Sequence, residues 1–265
     1  MLTLVLSAVV GLLFATLAVA LVLGSYSIAR HFLHSGDAAD RTHDVVGAVA
    51  TRIAALHGLM LALVYAQELD DYKGIRNLLT EESVAVSDVY NDIRRYGGEA
   101  VDVVQGDLAR YLDVVVDEEW DMLGRREGLS PTAWGLWQGV YEALLDLTPE
   151  TDRQSFLAGR MRDRITQVAR YRQMRDATAI GGFGSMFWAP ALIGISLLSV
   201  SLYVYRPTRS HLVLMSIFGA YSGVILFFIY AFANPFEQPG RLEPEAFQQL
   251  LKGEIGTRLE EPVRN

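Results

Sequence analysis

Two side chains that could act on ions lie inside a stretch of sequence that is otherwise apolar enough to cross a membrane. Arg52 and His57 both fall between about Val45 and Ala66. A charge within a span is costly, so it often marks an ion path. Arg52 could supply positive potential to a passing ion, or it could reach the interface or pair with a neighbouring span. His57 could hydrogen-bond to a neighbour or relay protons. At about 100° per residue, His57 points about 140° away from Arg52, so the two are not expected to form one site.

Small and polar residues recur at helical spacing along the same stretch. They are Asp44, Gly47, Ala48, Thr51, Ala55, Gly58 and Ala62. Such a stripe allows helices to pack closely. It could equally line a pore, since small residues leave room and expose backbone dipoles. The pair Gly219 and Gly223 presents the same alternatives.

Catalytic chemistry finds little support elsewhere in the sequence. The acidic run Asp117, Glu118, Glu119 precedes Trp120, but adjacent residues of a helix point in different directions and do not form an acid/base pair. His31 and His34 are spaced for a metal, yet nothing nearby completes a ligand set. The sequence has no phosphate-binding glycine loop and no nucleophile motif. We therefore expect no enzyme, no metal site and no cofactor.

Composition indicates a membrane protein with a water-facing part. Hydrophobic residues make up 51% of the 265 residues and charged residues 20%, and the two kinds are segregated along the chain. The net charge of −8 argues against nucleic-acid binding, which requires a basic face. Absence of cysteine excludes disulfides and thiolate chemistry.

Four apolar stretches are each long enough to cross a ~30 Å hydrocarbon core. They run approximately over residues 2–23, 45–66, 184–205 and 212–233. The first could instead be a signal peptide ending near Ala20, but no Lys or Arg precedes it, which favours an uncleaved anchor. A polar loop is expected from Ser25 to His43. The predicted organisation is two spans in residues 1–67, a water-exposed insert in 68–183, two spans in 184–234 and a polar tail in 235–265.

The insert is predicted to be helical throughout. Apolar residues recur at helical spacing from Ile75 to Ile93, and Gly97-Gly98 should end that helix. Ser130-Pro131 is typical of a helix start, and Thr148-Pro149 repeats the pattern. In the tail, residues 244–251 should form a short helix, followed by a polar end that is expected to be disordered. The predicted fold class is an all-α membrane protein with four transmembrane helices and a helical insert between helices 2 and 3.

Several segments together resemble the bestrophin-like family of bacterial membrane proteins. They are His43-Asp44-Val45-Val46-Gly47, the run from Tyr111 to Trp120, the Arg-rich helix before the third span, Asn234-Pro235-Phe236, and Pro244-Glu245-Ala246-Phe247. The resemblance implies a four-span protein with a helical insert, and it marks Asp117, Glu119, Trp120, Asn234, Pro235 and Phe236 as family motif residues. Members of the family are usually apolar at the position of Arg52 and often aromatic at that of His57.

The resemblance also implies a function, because bestrophins are homo-oligomeric anion channels. We expect a homo-oligomeric ion channel in a bacterial inner membrane, with the lipid bilayer, further copies of the chain and ions as its partners. In this hypothesis the second span lines the path and Arg52 supplies positive potential. The alternative is a non-conducting scaffold or sensor that binds a partner through the insert.

The distribution of basic residues predicts which side of the membrane the insert occupies. The short loops hold Arg30, Arg41, Arg206 and Arg209. Lys and Arg in short loops favour the cytoplasmic side, which would place the insert outside the cytoplasm. Basic residues also flank the spans on the insert side and argue for the opposite orientation: Lys73, Arg76, Arg170, Arg172 and Arg175.

Overall fold

Helices account for all the regular secondary structure in the part of the chain that the computed structural model describes, residues 2–33, 40–181 and 185–260. The longer helices are α1 (Leu2–Leu33), α2 (Asp40–Tyr96), α3 (Ala100–Val114), α5 (Pro131–Leu145), α6 (Asp152–Gly181), α7 (Ser185–Ser201) and α8 (Arg209–Phe232). The short ones are α4 (Trp120–Gly124), α9 (Glu245–Lys252) and α10 (Glu254–Glu260), with a π-helical turn at Val115–Glu119 and a 3-10 turn at Leu202–Val204. The predicted all-helical class is confirmed.

Two units make up the structure. One, which we call the apolar unit, comprises Met1–Asp71 and Phe183–Ala233. The other, which we call the insert unit, comprises Tyr72–Gly182 and Asn234–Asn265.

Four helices are long and apolar enough to cross a membrane, in agreement with the four predicted spans. The helical segments are Leu4–Leu33, His43–Tyr96, Phe187–Val204 and Arg209–Phe232. Large apolar side chains such as Leu4, Leu12 and Leu63 are exposed on their surfaces. In lipid, a helix satisfies its own backbone groups and can present apolar side chains outward without cost.

The helices extend beyond the spans that hydropathy defines. The loop expected from Ser25 to His43 is wrong at both ends, because α1 continues to Leu33 and α2 begins at Asp40. Positions 34–39 lie outside the described residues. Similarly, α2 continues past Ala66 to Tyr96. Hydropathy marks where a helix can face lipid, whereas backbone hydrogen bonding continues through polar sequence.

Local signals fixed the helix ends where a specific backbone conformation or cap is needed. Gly97 and Gly98 follow α2 with φ angles of +79° and +88°, as expected for glycines that stop a helix. Ser130 caps α5 by accepting a hydrogen bond from the amide of Ala133, which confirms that predicted start.

The cap predicted at Thr148 is wrong, because α6 begins three residues later. Thr151 Oγ1 accepts a hydrogen bond from the amide of Gln154 at 3.2 Å. Thr151 and Gln154 have the spacing of a capping box, whose two side chains serve the first turn, and this outweighs the preceding Thr-Pro pair.

The described part of the tail belongs to the insert unit and is more ordered than predicted. Helix α9 confirms the short helix expected near residues 244–251. Helix α10 was not expected; it buries Ile255, and Glu254 pairs with Arg94 at 2.8 Å. The last five residues lie outside the described ranges.

Candidate functional site

The stripe of small and polar residues on α2 is largely exposed in the apolar unit. Asp44, Ala48, Thr51, Ala55, Gly58 and Ala62 are exposed. A methyl group added at Gly58 would meet nothing within 4 Å. Gly47 is half-buried, since the hydroxyl of Tyr205 lies 3.4 Å from where a side chain would begin. This face of α2 is therefore free for contact with something other than the chain's own spans.

Arg52 lies beside this stripe. It is exposed, and it makes no hydrogen bond or ion pair with the described residues. At about 100° per residue it projects about 80° from the centre of the stripe, among exposed apolar side chains such as Leu56 and Leu59. The structure does not bring Arg52 together with His57.

His57 lies on the opposite, buried face of α2, with only 6% of its surface exposed. A Cβ atom at Gly194 of α7 would lie 2.2 Å from its Nδ1 atom, so the ring fits against a position where only glycine leaves room. Neither ring nitrogen has a hydrogen-bond partner among the described residues. The expected hydrogen bond to a neighbouring span is therefore not seen there.

Gly219 and Gly223 of α8 pack against α1 of the same chain. A Cβ atom at Gly223 would lie 2.6 Å from Ala15 Cα, and one at Gly219 would lie 2.9 Å from Val19 Cα. The glycine pair is therefore used for helix packing within the chain and does not supply packing surface for another subunit.

The insert unit contains a buried ion network centred on Glu119, which the π-helical turn presents to its interior. Glu119 is fully buried; it accepts hydrogen bonds from Arg175 at 3.0 Å, from the amide of Ser130 at 2.9 Å, and from Arg172. Arg172 also donates to the carbonyl oxygen of Ser130 at 2.7 Å. A π turn adds one residue to the helix and so changes the direction of the side chains that follow it.

A second carboxylate completes the network. Glu82 of α2 is fully buried, and its Oε2 atom lies 3.0 Å from Arg175 Nε. The hydroxyl of Tyr111 donates to Glu82 Oε1 at 2.8 Å. Two arginines and two glutamates thus balance in charge, which makes their burial tolerable.

Aromatic rings surround the two guanidinium groups. The Arg175 guanidinium carbon lies 5.9 Å from the centre of the Trp120 ring and 5.6 Å from that of Phe247, and Arg172 lies 5.5 Å from Trp134. The electron-rich faces of these rings attract cations. The aromatic contacts therefore stabilise charges that water cannot reach.

Burial changes the pKa of several of these groups. It raises the pKa of Glu82, although Arg175 and the Tyr111 hydroxyl act in the opposite direction. Burial, together with the charge of Glu82, raises the pKa of Tyr111 well above its usual value, so its hydroxyl remains a donor. Burial alone would lower the pKa of Arg175, but Glu82, Tyr111 and Glu119 outweigh it, and the net pKa is raised. The network is therefore suited to holding helices together. Both of its carboxylates accept hydrogen bonds from other groups of the network.

The other acidic residues of the run point elsewhere. Asp117 is exposed, whereas Glu118 accepts a hydrogen bond from Ser130 Oγ at 2.7 Å. Glu118 and Glu119 therefore hold different atoms of one capping serine, and no acid/base pair forms. No group of residues able to hold a metal ion occurs in the part of the chain that the structure describes.

The motif at the end of α8 closes the same core. Asn234 Oδ1 accepts a hydrogen bond from the amide of Phe236 at 3.1 Å, which fixes a turn at Pro235. Phe236 is fully buried, and its ring centre lies 5.3 Å from that of Trp120. Motifs far apart in the sequence therefore meet around Trp120.

Sequence reasoning missed Glu82, Arg172 and Arg175 as members of a site. The signal was their position in the apolar periodicity. Arg172 and Arg175 continue the buried stripe of α6 (Met161, Ile165, Val168), and Glu82 falls between Leu79 and Val86 in that of α2. A charged residue at a core position predicts a buried partner of opposite charge.

Fold and site together define an all-helical protein that has four helices long and apolar enough to cross a membrane and a second unit with its own charged core. A family model for the bestrophin-like domain matches residues 16–247. The chain belongs to the bestrophin-like family, and the resemblance seen in its motifs is confirmed. No curated protein matches the sequence.

The fold is similar to crystal structures of a bacterial bestrophin homologue from Klebsiella pneumoniae, determined as single-residue variants. Two of them superpose with a TM-score of 0.64, at 11% and 13% sequence identity, over 95% of this chain and 99% of theirs. A third superposes with a TM-score of 0.60 at 13% identity, over 94% of this chain and 99% of its own. At these identities the likeness establishes the fold.

Proposed function

We propose that the protein is a homo-oligomeric ion channel, selective for anions, in which α2 lines the conduction path. The family supports this proposal, since bestrophins are anion channels. The observation that carries it is the exposed small and polar face of α2, with Arg52 beside it, on a helix that is apolar enough to cross a membrane. In this proposal the insert lies outside the cytoplasm, as the basic residues of the short loops favour.

Arg52 is the strongest argument that this face of α2 lies against a water-filled path and not against lipid. A charged residue at the centre of a lipid-exposed helix costs about 2.5–3.5 kcal/mol or more, and Arg52, nearer one end of the second span, would carry part of that cost. Arg52 has no carboxylate partner among the described residues to offset that cost. Water in a pore, or a group from another subunit, would offset it. In a ring of subunits, repeated Arg52 side chains would attract anions.

Conduction is tested with the purified full chain in planar bilayers. We expect an anion-selective current in the wild type, reduced anion selectivity in Arg52→Ala, and a shift toward cations in Arg52→Glu, because each change alters the charge along the path. Arg153→Ala and Arg153→Glu are the matched controls, since Arg153 is exposed on α6 in the insert unit. They should leave the selectivity unchanged.

Reversal potentials under a salt gradient measure the charge selectivity of each variant. Intact protein that carries no current at any tested voltage, pH or ion would overturn the channel proposal and favour the non-conducting scaffold. Currents whose selectivity is the same in all Arg52 variants would remove Arg52 from the path.

Oligomerisation through the α2 face is tested with Gly58→Leu. We expect the wild type to have the mass of an oligomer in mild detergent and the variant to shift toward monomer, because leucine prevents close approach at the stripe. The monomer should tolerate the change, as nothing lies within 4 Å of the new Cβ atom.

Gly74→Leu is the matched control on the same helix, also with open space around the new Cβ atom, and it should remain oligomeric. Native mass measurement distinguishes the cases. A wild type that is only monomeric contradicts the oligomer, and equal behaviour of the two variants contradicts the α2 interface.

A further inference from the structure

A cavity of about 370 Å³ lies inside the apolar unit, where α1, α2, α7 and α8 approach one another. Most of its wall is apolar, with Val22, Leu198, Met215 and Phe218 contributing. Small-molecule sites in proteins occupy about 300–1,000 Å³ and have mainly apolar walls with a few polar groups. The volume is therefore sufficient for a ligand.

The cavity opens sideways on the surface of the apolar unit. Leu214 of α8, one of its lining residues, is 65% exposed. Val213 and Ile217 on the adjoining surface of α8 are also more than half exposed. In a bilayer, exposed apolar side chains of a spanning helix face lipid, so a ligand would enter from the hydrocarbon phase.

The polar end of the cavity is formed by His211 and Tyr205. The His211 ring lies 5.7 Å from the Tyr205 ring and 5.4 Å from that of Tyr26. His211 Nε2 is buried without a hydrogen-bond partner among the described residues, whereas the Tyr205 hydroxyl donates to the carbonyl oxygen of His43 at 3.1 Å. A buried polar atom without a partner is destabilising, so a polar ligand group at His211 would stabilise the site.

A positive charge lies behind this end. Arg30 Nη1 donates to the carbonyl oxygens of Tyr205 at 2.8 Å and Tyr203 at 3.2 Å. Within the described ranges no carboxylate pairs with Arg30. An arginine held by neutral carbonyls keeps its full charge, which favours an anionic group at the polar end.

We propose that this cavity binds a long-chain fatty acid, with the acyl chain along the apolar wall and the carboxylate at His211, where the positive charge of Arg30 behind the wall attracts it. The volume suits one chain, and a phospholipid would leave its second chain outside. An inorganic anion would lose its hydration and find few polar partners in the wall. The proposal concerns binding and does not depend on conduction.

The first test fills the cavity. With the purified full chain in detergent, we expect saturable binding of tritiated palmitate that Ser199→Leu weakens at least about tenfold, since Ser199 is a buried lining residue. Ser216→Leu is the matched control. Each serine donates to the carbonyl oxygen four residues before it, at 2.7 Å and 2.9 Å, but Ser216 is not part of the wall. The control should bind palmitate like the wild type.

The second test addresses the carboxylate. Hexadecanol, which has a hydroxyl in its place, should bind the wild type about tenfold more weakly than palmitate, because a hydrogen bond to a charged group is the stronger one. Arg30→Gln should lower palmitate binding toward the level of hexadecanol and leave hexadecanol binding unchanged. His211→Leu should weaken binding of both, because the His211 ring can hydrogen-bond to either head group. Arg209→Gln, an exposed arginine on α8, should change neither.

Four results would overturn the proposal. The wild type could show no saturable palmitate binding, or Ser199→Leu could bind palmitate as well as Ser216→Leu does. Palmitate and hexadecanol could bind equally in the wild type and in Arg30→Gln. Finally, an anionic phospholipid in mixed micelles could displace the tritiated palmitate at a lower concentration than unlabelled palmitate does. That result would identify a phospholipid site.

Discussion

Arg175→Met should lower the free energy of unfolding of the insert unit by about 3–5 kcal/mol, which is the cost of removing one partner from a buried ion network. Arg175 has no exposed surface and contacts both Glu82 and Glu119. Methionine would fill part of the space, but Glu82 would lose its closest cation. Burial raises the pKa of Glu82 and Arg175 opposes that rise, so without Arg175 the carboxyl group must take up a proton or stay charged without a partner, and either is costly. The effect should therefore be far larger than that of an ordinary surface substitution.

Denaturant unfolding of the purified full chain, followed by tryptophan fluorescence, measures this effect, since Trp120 and Trp137 are buried in the insert core. Arg170→Met is the matched control on the same helix, because Arg170 is exposed. It should change stability by no more than about 0.5 kcal/mol. An Arg175→Met variant as stable as this control would show that the network contributes nothing.

A second substitution separates loss of the cation from loss of packing. In Arg175→Met with Glu82→Gln, the glutamine oxygen can still accept the Tyr111 hydrogen bond, and no unpaired carboxylate remains at that position. We expect the double variant to be more stable than Arg175→Met alone, since neutral replacements of a buried pair cost less than a single unpaired charge. Equal stability would mean that the shape of the arginine, rather than its charge, is what matters.

The features that could be predicted from the sequence are those determined locally. The spans follow from the length of each apolar stretch, and the helix ends at Gly97 and Ser130 follow from the conformations and caps that those residues favour. The length of α1 and α2 could not be predicted in the same way, because helical hydrogen bonding does not stop where hydropathy falls.

The charged core of the insert could not be predicted from the same rules. Charged residues on a helix usually lie on its solvent face. From the sequence alone, Arg172 and Arg175 enter only as basic residues that flank the spans, and Glu82 is not considered. Their partners are distant in the sequence, and the direction of Glu119 depends on the π turn at Val115–Glu119, for which the sequence carries no recognised signal. The periodicity alone would have placed these residues in the core; only tertiary contacts identify which charges pair.

The sequence could not predict which helix packs against the glycine pair on α8. Gly219 and Gly223 could contact a helix of a second chain or of the same chain. The structure assigns them to α1, with backbone atoms of Phe14 and Ala15 both 2.6 Å from a Cβ atom placed at Gly223. A backbone atom cannot move aside by changing rotamer. A side chain at this position must therefore separate α1 from α8.

Gly223→Leu should accordingly prevent the apolar unit from packing, with a loss of stability of at least about 3 kcal/mol, the upper part of the range for overpacked cores. Gly223→Ala should be milder in the same direction. We expect Gly223→Leu to yield little monodisperse protein on size exclusion after detergent extraction, and to aggregate at a lower temperature. Gly24→Leu on α1 is the matched control, since a Cβ atom at Gly24 would meet nothing within 4 Å.

Gly223→Leu could instead match Gly24→Leu in its yield of monodisperse protein and in its aggregation temperature. That result would show that α1 and α8 do not pack as closely as described. The expected result has a consequence for assembly. Because the glycines of α8 are occupied by α1, the subunit interface that we propose uses the exposed small residues of α2 instead. Gly58→Leu should then change the oligomeric mass without the loss of folded protein that Gly223→Leu causes, so the two variants separate packing within a chain from packing between chains.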